Sequence, residues 1–228
     1  MSILSEFRAY VEDDLLRKFL AEREELAGSK FLPNWDRIGE NDARFFLKGM
    51  HGNLLTHRGR GLYRAPKSGA SEQFFWTGRK KDAPRKVFLW SEPIITVAAL
   101  ARLHFNFQWP PEMLGTNTHT WEFDLAAFKA ADDKREHIAC EIKKTSKEVE
   151  YLIAEMQSLS SQDVMSESGL KPKQINAFRK LRGLRDRKPK IFWVVGPHGC
   201  ERIFEPVYED RVVLREVGPG SLSYSNAH

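Results

Sequence analysis

The chain contains little cysteine and no long hydrophobic run. Cys140 and Cys200 are its only cysteines and form no Cys-x-x-Cys pair, so neither a zinc cluster nor a disulfide framework is indicated. No apolar run approaches the roughly 20 residues that cross a bilayer. The first residues, MSILSEFRAYVEDDLL, carry acids where a signal peptide has an apolar stretch. We therefore expect a cytoplasmic protein with no membrane partner.

The composition is that of a folded chain with a slight excess of positive charge. Hydrophobic residues make up 41% and charged residues 29% of the 228 residues, which excludes a disordered chain and a miniprotein. Lysine and arginine number 36 against 31 acids, a net charge of +5, which favours a polyanionic partner only mildly. The length predicts one large domain, or one domain with an extended arm.

The first ninety residues carry weaker structural signals than the rest of the chain. A helix is predicted near the N-terminus from apolar residues at helical spacing, namely Phe7, Val11, Leu15, Leu16 and Phe19. Residues 28–90 are rich in glycine and turn signals, which predicts short strands and loops. We expect residues 1–90 to form an N-terminal α+β extension for dimerisation or recognition, and residues 91–228 to form the main domain.

The pattern after residue 90 predicts helices around a sheet. Ser91 and Pro93 suit the start of a helix. WEFDLAAF and HIACEIKK alternate between apolar and polar residues and predict an antiparallel hairpin. Thr145 or Ser146 can cap the helix that follows. A second helix is predicted after Pro172, and IFWVV at 191–195 predicts a buried strand. The order is typical of an α/β domain with a mixed sheet covered by helices.

Three charged residues on the predicted hairpin carry the chemistry. Glu141 and Lys143 share one face of a strand, roughly 7 Å apart, because side chains in a strand repeat every two residues. Asp124 can lie beside them on the adjoining strand. Carboxylates of this kind hold Mg²⁺, leaving waters and substrate phosphate to complete the octahedron. A lysine beside the metal can orient or deprotonate the attacking water. The alternative is a solvated strand face with a cross-strand ion pair.

The segments WEFD and CEIKK resemble the motif of the PD-(D/E)xK nuclease superfamily, which includes restriction endonucleases, Holliday-junction resolvases and transposon-end nucleases. The resemblance covers roughly residues 91–207, and CEIKK holds the only Glu-x-Lys in the chain. Phe123 stands where a proline often precedes the first acid. The resemblance implies a restriction-endonuclease-like mixed β-sheet flanked by helices, in the order helix, three strands, helix, strand.

The resemblance also implies roles for individual residues. Asp124 and Glu141 would bind Mg²⁺, for which Mn²⁺ can substitute, and Lys143 would be the catalytic lysine. Glu92 matches the further acid that the family often places on the helix before the sheet, although it precedes Pro93 at the helix start rather than lying mid-helix. A helix-start carboxylate stabilised by the helix dipole is the alternative for Glu92.

Basic residues follow the motif and fill the segment from Lys171 to Lys190. That segment carries nine basic residues and one acid, a local net charge of +8, which favours contact with phosphates over a merely solvated helix face. The candidate nucleic-acid contacts are Lys144, Lys147, Lys173, Arg179, Arg182 and Arg185. The tryptophans lie in apolar runs and are predicted to be core rather than base-stacking residues.

Together these patterns predict a Mg²⁺-dependent endonuclease acting on double-stranded DNA, in a restriction-like, other defence or mobile-element role. A homodimer is expected, because cutting both strands with one site per chain needs two copies. Two alternatives remain open. One is a non-catalytic nucleic-acid-binding protein with a nuclease-like fold. The other is a nuclease subunit that is active only within a larger transposition or defence complex.

Overall fold

A six-stranded mixed β-sheet between helical layers forms the centre of this α/β fold. The computed structural model describes residues 2–79, 84–118, 122–161 and 166–227. The helices are α1 (Ile3–Ala9), α2 (Arg17–Ala21), α3 (Glu40–His51), α4 (Ser91–Phe105), α5 (Ser146–Ser161) and α6 (Pro172–Arg187). A π-helical segment, Tyr10–Leu16, joins α1 to α2. Among the helices of these ranges, none is both long enough and apolar enough to span a bilayer.

Twelve strands of the described residues form three sheets. The strands are β1 (Lys30–Leu32), β2 (Thr56–His57), β3 (Leu62–Arg64), β4 (Glu72–Gln73), β5 (Phe75–Thr77), β6 (Lys86–Leu89), β7 (Leu114–Thr116), β8 (Leu125–Ala127), β9 (Ile138–Ile142), β10 (Ile191–Val195), β11 (Glu201–Tyr208) and β12 (Val212–Glu216). Two three-stranded sheets have the orders β1-β6-β5 and β2-β3-β4, and the central sheet has the order β12-β11-β10-β9-β8-β7. In the central sheet β9 and β10 are parallel and the other neighbours antiparallel.

The central strands alternate between two hydrophobic clusters because successive side chains of a strand point to opposite faces. Ile138, Cys140 and Ile142 of β9 pack in the cluster that contains α4 and the N-terminal helices. Ala139 lies in the other cluster, with α5 and α6. Trp193 and Phe192 of β10 divide between the same two clusters. The sheet therefore has an apolar layer on each face, and the face of Ala139 is also the face of Glu141.

The predicted hairpin is confirmed, with shorter strands than expected. β8 and β9 pair antiparallel, with Leu125 opposite Cys140 and Ala127 opposite Ile138. The strand predicted over WEFDLAAF is reduced to Leu125–Ala127 in the described residues, and Trp121 lies outside them. The buried strand at 191–195 is confirmed as β10. Thr145 caps α5, since its Oγ1 accepts a hydrogen bond from the Glu148 N–H at 3.2 Å.

The expectation of only strands and loops between residues 28 and 90 is wrong. That segment contains α3, whose buried face carries residues at helical spacing, namely Ala43, Phe46, Leu47 and their neighbours. The helix was missed because glycines and turn residues flank it closely in the sequence. The start of α4 is displaced as well, since Trp90 rather than Ser91 occupies its N-cap.

The prediction that the tryptophans are core residues holds only in part. Trp109 and Trp193 are fully buried. Trp76 and Trp90 are 55% and 45% exposed. The error arises at β5, where Phe75 points into the core and the next residue must therefore point outward.

The hydrophobic core is continuous across residue 90. One cluster includes Phe7 and Phe46 from the N-terminal part together with Leu100 of α4 and Leu125 of β8. Ser68 Oγ also accepts a hydrogen bond from the Thr116 N–H at 2.8 Å. The two parts therefore pack against each other through shared apolar side chains. The division into residues 1–90 and 91–228 stays a prediction.

We expect Gly115→Ala to lower the free energy of unfolding by about 1–3 kcal/mol, as overpacking does elsewhere. A Cβ at Gly115 of β7 would lie 2.4 Å from the backbone carbonyl carbon and oxygen of Lys67, so backbone would have to move. Urea unfolding followed by circular dichroism measures the change. Gly218→Ala is the matched control, because a Cβ there meets nothing within 4 Å. Equal free energies of unfolding for Gly115→Ala and Gly218→Ala would contradict the close approach of Gly115 to the Lys67 backbone.

Candidate active site

The predicted site residues lie where β8 and β9 separate at one end of the central sheet. Asp124 immediately precedes β8, and its N–H donates to the Cys140 carbonyl at 3.0 Å. Its carboxylate then takes the place of a backbone acceptor on the neighbouring strand, since Asp124 Oδ2 accepts a hydrogen bond from the Ile142 N–H at 2.7 Å. Lys143 follows β9 directly and its N–H donates to the Val195 carbonyl at 2.8 Å. The ends of two strands thus hold both residues by backbone hydrogen bonds.

Glu141 is a buried carboxylate held between two lysines. Only 3% of the residue is exposed. Lys143 Nζ donates to Glu141 Oε1 at 2.6 Å, and Lys180 Nζ lies 2.6 Å from Oε2. The second contact is a charge pair without hydrogen-bond alignment, because Oε2 has no hydrogen-bond partner. The ammonium groups compensate the burial of this carboxylate, which would be costly without a paired charge.

Lys180 reaches Glu141 from α6 and was missed as a site residue. The sequence predicts the buried stripe of α6 from Ile175, Phe178, Leu181 and Leu184. Leu184 is buried, and Phe178 and Leu181 are half-buried against the same hydrophobic cluster. The structure additionally buries Ala177, Lys180 and Gly183. Lys180 Nζ also donates to the Glu122 carbonyl. The signal that could have found it is its spacing, three residues after Ala177 and four before Leu184, which places it on their face.

A cavity of about 370 Å³, here called the acidic cavity, brings the predicted residues together. Its lining includes Glu72, Glu92, Asp124, Glu141 and Lys143. Glu92, in the first turn of α4, accepts a hydrogen bond at Oε2 from Trp90 Nε1 at 3.0 Å. The four residues predicted for catalysis and metal binding therefore line one space, and Glu72 joins them from the N-terminal part.

Glu72 of β4 is the second residue that the sequence did not reveal. It is buried, and its Oε1 accepts a hydrogen bond from Asn117 Nδ2 at 2.7 Å. Burial raises the pKa of Glu72 to about 8, and the negative charge of Asp124 contributes to the increase. A glutamate in a two-residue strand far from the motif gives no sequence signal of its own, since only the fold brings it to Asp124.

Burial and neighbouring charges also shift the pKa values of Asp124 and Lys143. Burial, followed by the charge of Glu141, raises the pKa of Asp124 to about 7. Burial works to lower the pKa of Lys143, but the charge and hydrogen bond of Glu141 outweigh it, so the net pKa is raised. Lys143 is thus a protonated donor in this arrangement.

A second cavity, of about 490 Å³, adjoins the acidic cavity and is here called the lysine cavity. Glu92 and Lys143 line both cavities. Lys144, Lys147 and Lys173 line the lysine cavity with Tyr151, over whose ring Lys173 Nζ lies at 4.8 Å. Half of the residues predicted to contact nucleic acid are therefore grouped beside the predicted catalytic residues.

The three predicted arginines of α6 do not line either cavity. Arg179 forms two hydrogen bonds of 3.0 Å to the carboxylate of Glu167. Arg182 and Arg185 are exposed further along the helix, and Arg185 contacts the Asp210 carbonyl at 3.4 Å. Their contact with nucleic acid stays a prediction, and the charge of Arg179 is already balanced by an acid of this chain.

The donor set of the acidic cavity fits a hard divalent cation. Among the described residues, no three histidine, cysteine, aspartate or glutamate side chains converge closely enough to hold an ion by themselves. Mg²⁺ needs only one or two carboxylates, with waters and substrate phosphates supplying the other ligands. Asp124 and Glu141 meet that requirement, and a cation would relieve the repulsion that raises the pKa of Asp124.

Comparisons of the chain with models of protein families, with curated proteins and with solved structures found no match.

We expect Glu72→Gln to reduce the pH dependence of stability. The carboxyl of Glu72 titrates near 4.5 when unfolded and near 8 when folded, so the unfolded state loses its proton first. The free energy of unfolding should therefore fall by about 1.4 kcal/mol per pH unit across that window through this group. Glutamine keeps the acceptor for Asn117 but cannot ionise, so the variant should be the more stable protein above pH 8.

Urea unfolding in EDTA, repeated between pH 5 and pH 9, measures this difference. Glu209→Gln is the control, because Glu209 is exposed and its substitution should leave the pH profile unchanged. Parallel profiles for the original chain and Glu72→Gln would show that Glu72 titrates as an ordinary solvated carboxyl.

Proposed function

We propose that this chain is a Mg²⁺-dependent endonuclease that hydrolyses DNA phosphodiester bonds. The observation that carries the proposal is the acidic cavity, where Asp124, Glu141, Lys143 and Glu92 meet and adjoin a cavity lined by lysines. Carboxylates for a metal, an ammonium donor and a basic path for phosphates are the parts that phosphodiester hydrolysis needs.

The order of elements supports a restriction-endonuclease-like fold of the PD-(D/E)xK kind. α4 is followed by β7, β8 and β9, then by the α5 and α6 pair, and then by β10. β10 lies parallel to β9 in the sheet. This is the order of helix, three strands, helix and strand that the motif resemblance implies, with one additional helix. The acids and the lysine lie at the end of β9, beside the start of α4.

The residues that would hold the metal are Asp124 and Glu141, and Glu92 also lines the cavity. When bound, the metal would polarise the phosphate and lower the pKa of a bound water. Glu141 has to release an ammonium group to offer an oxygen, since both of its oxygens contact lysines. Lys180 keeps one carboxylate oxygen oriented while Lys143 turns toward the substrate.

Lys143 is proposed to orient the attacking water and to stabilise charge on the phosphate. Glu141 and the nearby acids keep its amine protonated, so it acts as a hydrogen-bond donor to the developing charge. Proton acceptance from the water then falls to another group.

The wider setting of the activity follows from the same proposal. The partner would be DNA, and a homodimer would supply one active site for each strand. Residues 1–90 would contribute recognition or dimerisation in addition to Glu72. A restriction-like, other defence or mobile-element role in the cytoplasm is the setting we propose, by analogy with the motif.

One observation favours a second candidate function. Lys180 and Lys143 neutralise Glu141 much as a bound cation would. A chain in which the two lysines permanently replace a metal would bind nucleic acid without cutting it. A nuclease that is activated only within a larger transposition or defence complex would have the same resting arrangement, with partners displacing a lysine.

Asp124→Asn, Glu141→Gln and Lys143→Met should each slow DNA cleavage by about 100-fold or more, because the first two weaken metal binding and the third removes the ammonium that stabilises charge on the phosphate. Purified chain is incubated with supercoiled plasmid and Mg²⁺ or Mn²⁺, and nicked and linear products are quantified on gels. EDTA should abolish cleavage. Glu209→Gln is the matched control, since this exposed acid lies outside the cavity lining.

Cleavage by all three variants at the original rate would eliminate the proposed mechanism. DNA binding without any cleavage would favour the non-catalytic candidate. Cleavage that begins only when partner proteins are added would favour the complex-dependent one.

We expect Lys147→Ala and Lys173→Ala to weaken DNA binding more than Arg179→Ala does. The two lysines line the lysine cavity, whereas Arg179 is paired with Glu167. Each lost phosphate contact should reduce the slope of log affinity against log salt by about 0.9. Fluorescence anisotropy of a labelled DNA at several salt concentrations measures both quantities. A larger effect of Arg179→Ala would assign the phosphate path to the outer face of α6.

A further inference from the structure

An exposed aromatic surface lies directly beside the acidic cavity. Trp76, Phe88, Leu89 and Trp90 line an apolar cavity of about 330 Å³, here called the aromatic cleft. Trp90 also lines the acidic cavity. The rings of Trp76 and Phe88 lie opposite each other on β5 and β6, with centroids 5.5 Å apart and planes tilted by 38°. Large exposed tryptophans are uncommon without a function.

The position of Trp90 links the cleft to the proposed chemistry. Trp90 is the N-cap of α4, and its indole N–H is held by the carboxylate of Glu92 at 3.0 Å. The hydrogen bond fixes the ring at the border of the two cavities while leaving 45% of the residue exposed. A group bound on this ring would therefore lie next to whatever occupies the acidic cavity.

The three cavities form a connected series of different chemistry. The aromatic cleft shares Trp90 with the acidic cavity, and the acidic cavity shares Glu92 and Lys143 with the lysine cavity. A flat apolar group would fit the aromatic cleft, a metal-bound phosphate would fit the acidic cavity, and further phosphates would fit the lysine cavity. A nucleic-acid strand presents these groups in succession along its backbone.

We propose that the aromatic cleft binds an unstacked nucleobase next to the scissile phosphate, so that the substrate is a strand that is unpaired at the cleavage point. This inference rests on the proposed nuclease function. In an intact duplex the neighbouring bases cover both faces of each base, so an aromatic platform can bind only a base that has left the stack. Single-stranded segments and branched or flapped duplexes provide such bases.

A protein partner fits the cleft less well. Four side chains of the described residues line it, whereas a stable protein interface uses about 20–30 residues on each side. The other large exposed apolar residues of the described chain do not extend the surface, because Phe105 ends α4, Val213 lies on the edge strand β12, and Tyr151 lies in the lysine cavity. The cleft is thus a small isolated site, suited to one ring system.

The test measures binding separately from cleavage. The full chain carrying Asp124→Asn is titrated, without divalent metal, into labelled single-stranded DNA, the same strand with abasic sites, and a blunt duplex. Adding Trp76→Ala or Trp90→Ala should weaken single-strand binding by about 5- to 100-fold, the usual effect of losing a stacked base. Duplex affinity should change little, and abasic sites should weaken binding similarly.

Two further variants separate stacking from structural damage. Trp90→Phe keeps a ring but loses the hydrogen bond to Glu92, and it should retain most of the single-strand affinity. Phe105→Ala removes an aromatic residue of comparable exposure, 41%, from the far end of α4, and it should not alter binding. Quenching of tryptophan fluorescence on adding single strands should decrease in the Trp76→Ala and Trp90→Ala proteins.

Several results would overturn the inference. These are single-strand binding that is unchanged by both alanine variants, equal loss of duplex and single-strand binding, and abasic strands that bind as tightly as normal ones. A changed oligomeric state on sedimentation, with unaltered single-strand binding, would identify the cleft as a protein interface. Asp124-dependent plasmid cleavage alongside any of these results would leave the proposed function standing. If the alanine variants lose single-strand binding but the original chain never cleaves DNA, only the nuclease function would be refuted.

Discussion

The buried carboxylate of Glu141 is the feature on which the proposed site depends. A charge in this position is tolerated only because Lys143 and Lys180 contact its two oxygens at 2.6 Å. The pairing joins the end of β9 to α6, and the hydrogen bond from Ile142 to Asp124 joins the same strand to β8. Without any ammonium partner Glu141 would be an unpaired buried charge, which costs several kcal/mol in a protein interior.

The close approach of α6 makes this pairing possible. Gly183 lies so near the segment before β8 that an added Cβ would be 3.3 Å from both Glu122 Cδ and Phe123 Cζ. Ala177 and Gly183 share the buried face with Lys180. Small residues therefore let the helix pack tightly, and the long lysine side chain spans the remaining distance to the sheet. Lys180 Nζ also lies over the Phe123 ring, 5.6 Å from its centroid.

The N-terminal part completes the site as well as supporting it. Glu72 of β4 approaches Asp124 through Asn117, and Trp90 borders the acidic cavity from the end of β6. Because the hydrophobic cluster also crosses residue 90, changes in the N-terminal part should affect the electrostatics of the cavity. Residues 1–90 thus also contribute side chains, among them Glu72 and Trp90, to the lining of the acidic cavity.

Elements with a local pattern could be predicted from the amino-acid sequence alone. The alternation in HIACEIKK placed Glu141 and Lys143 on one strand, and the apolar run at 191–195 marked β10. Periodicity cannot report which distant side chains meet, because that depends on helix packing and strand order. Glu72 and the exposed ring of Trp90 reach the cavity, and Lys180 reaches Glu141, only through tertiary structure. Burial at that place, which no local pattern reports, raises the pKa of Glu72.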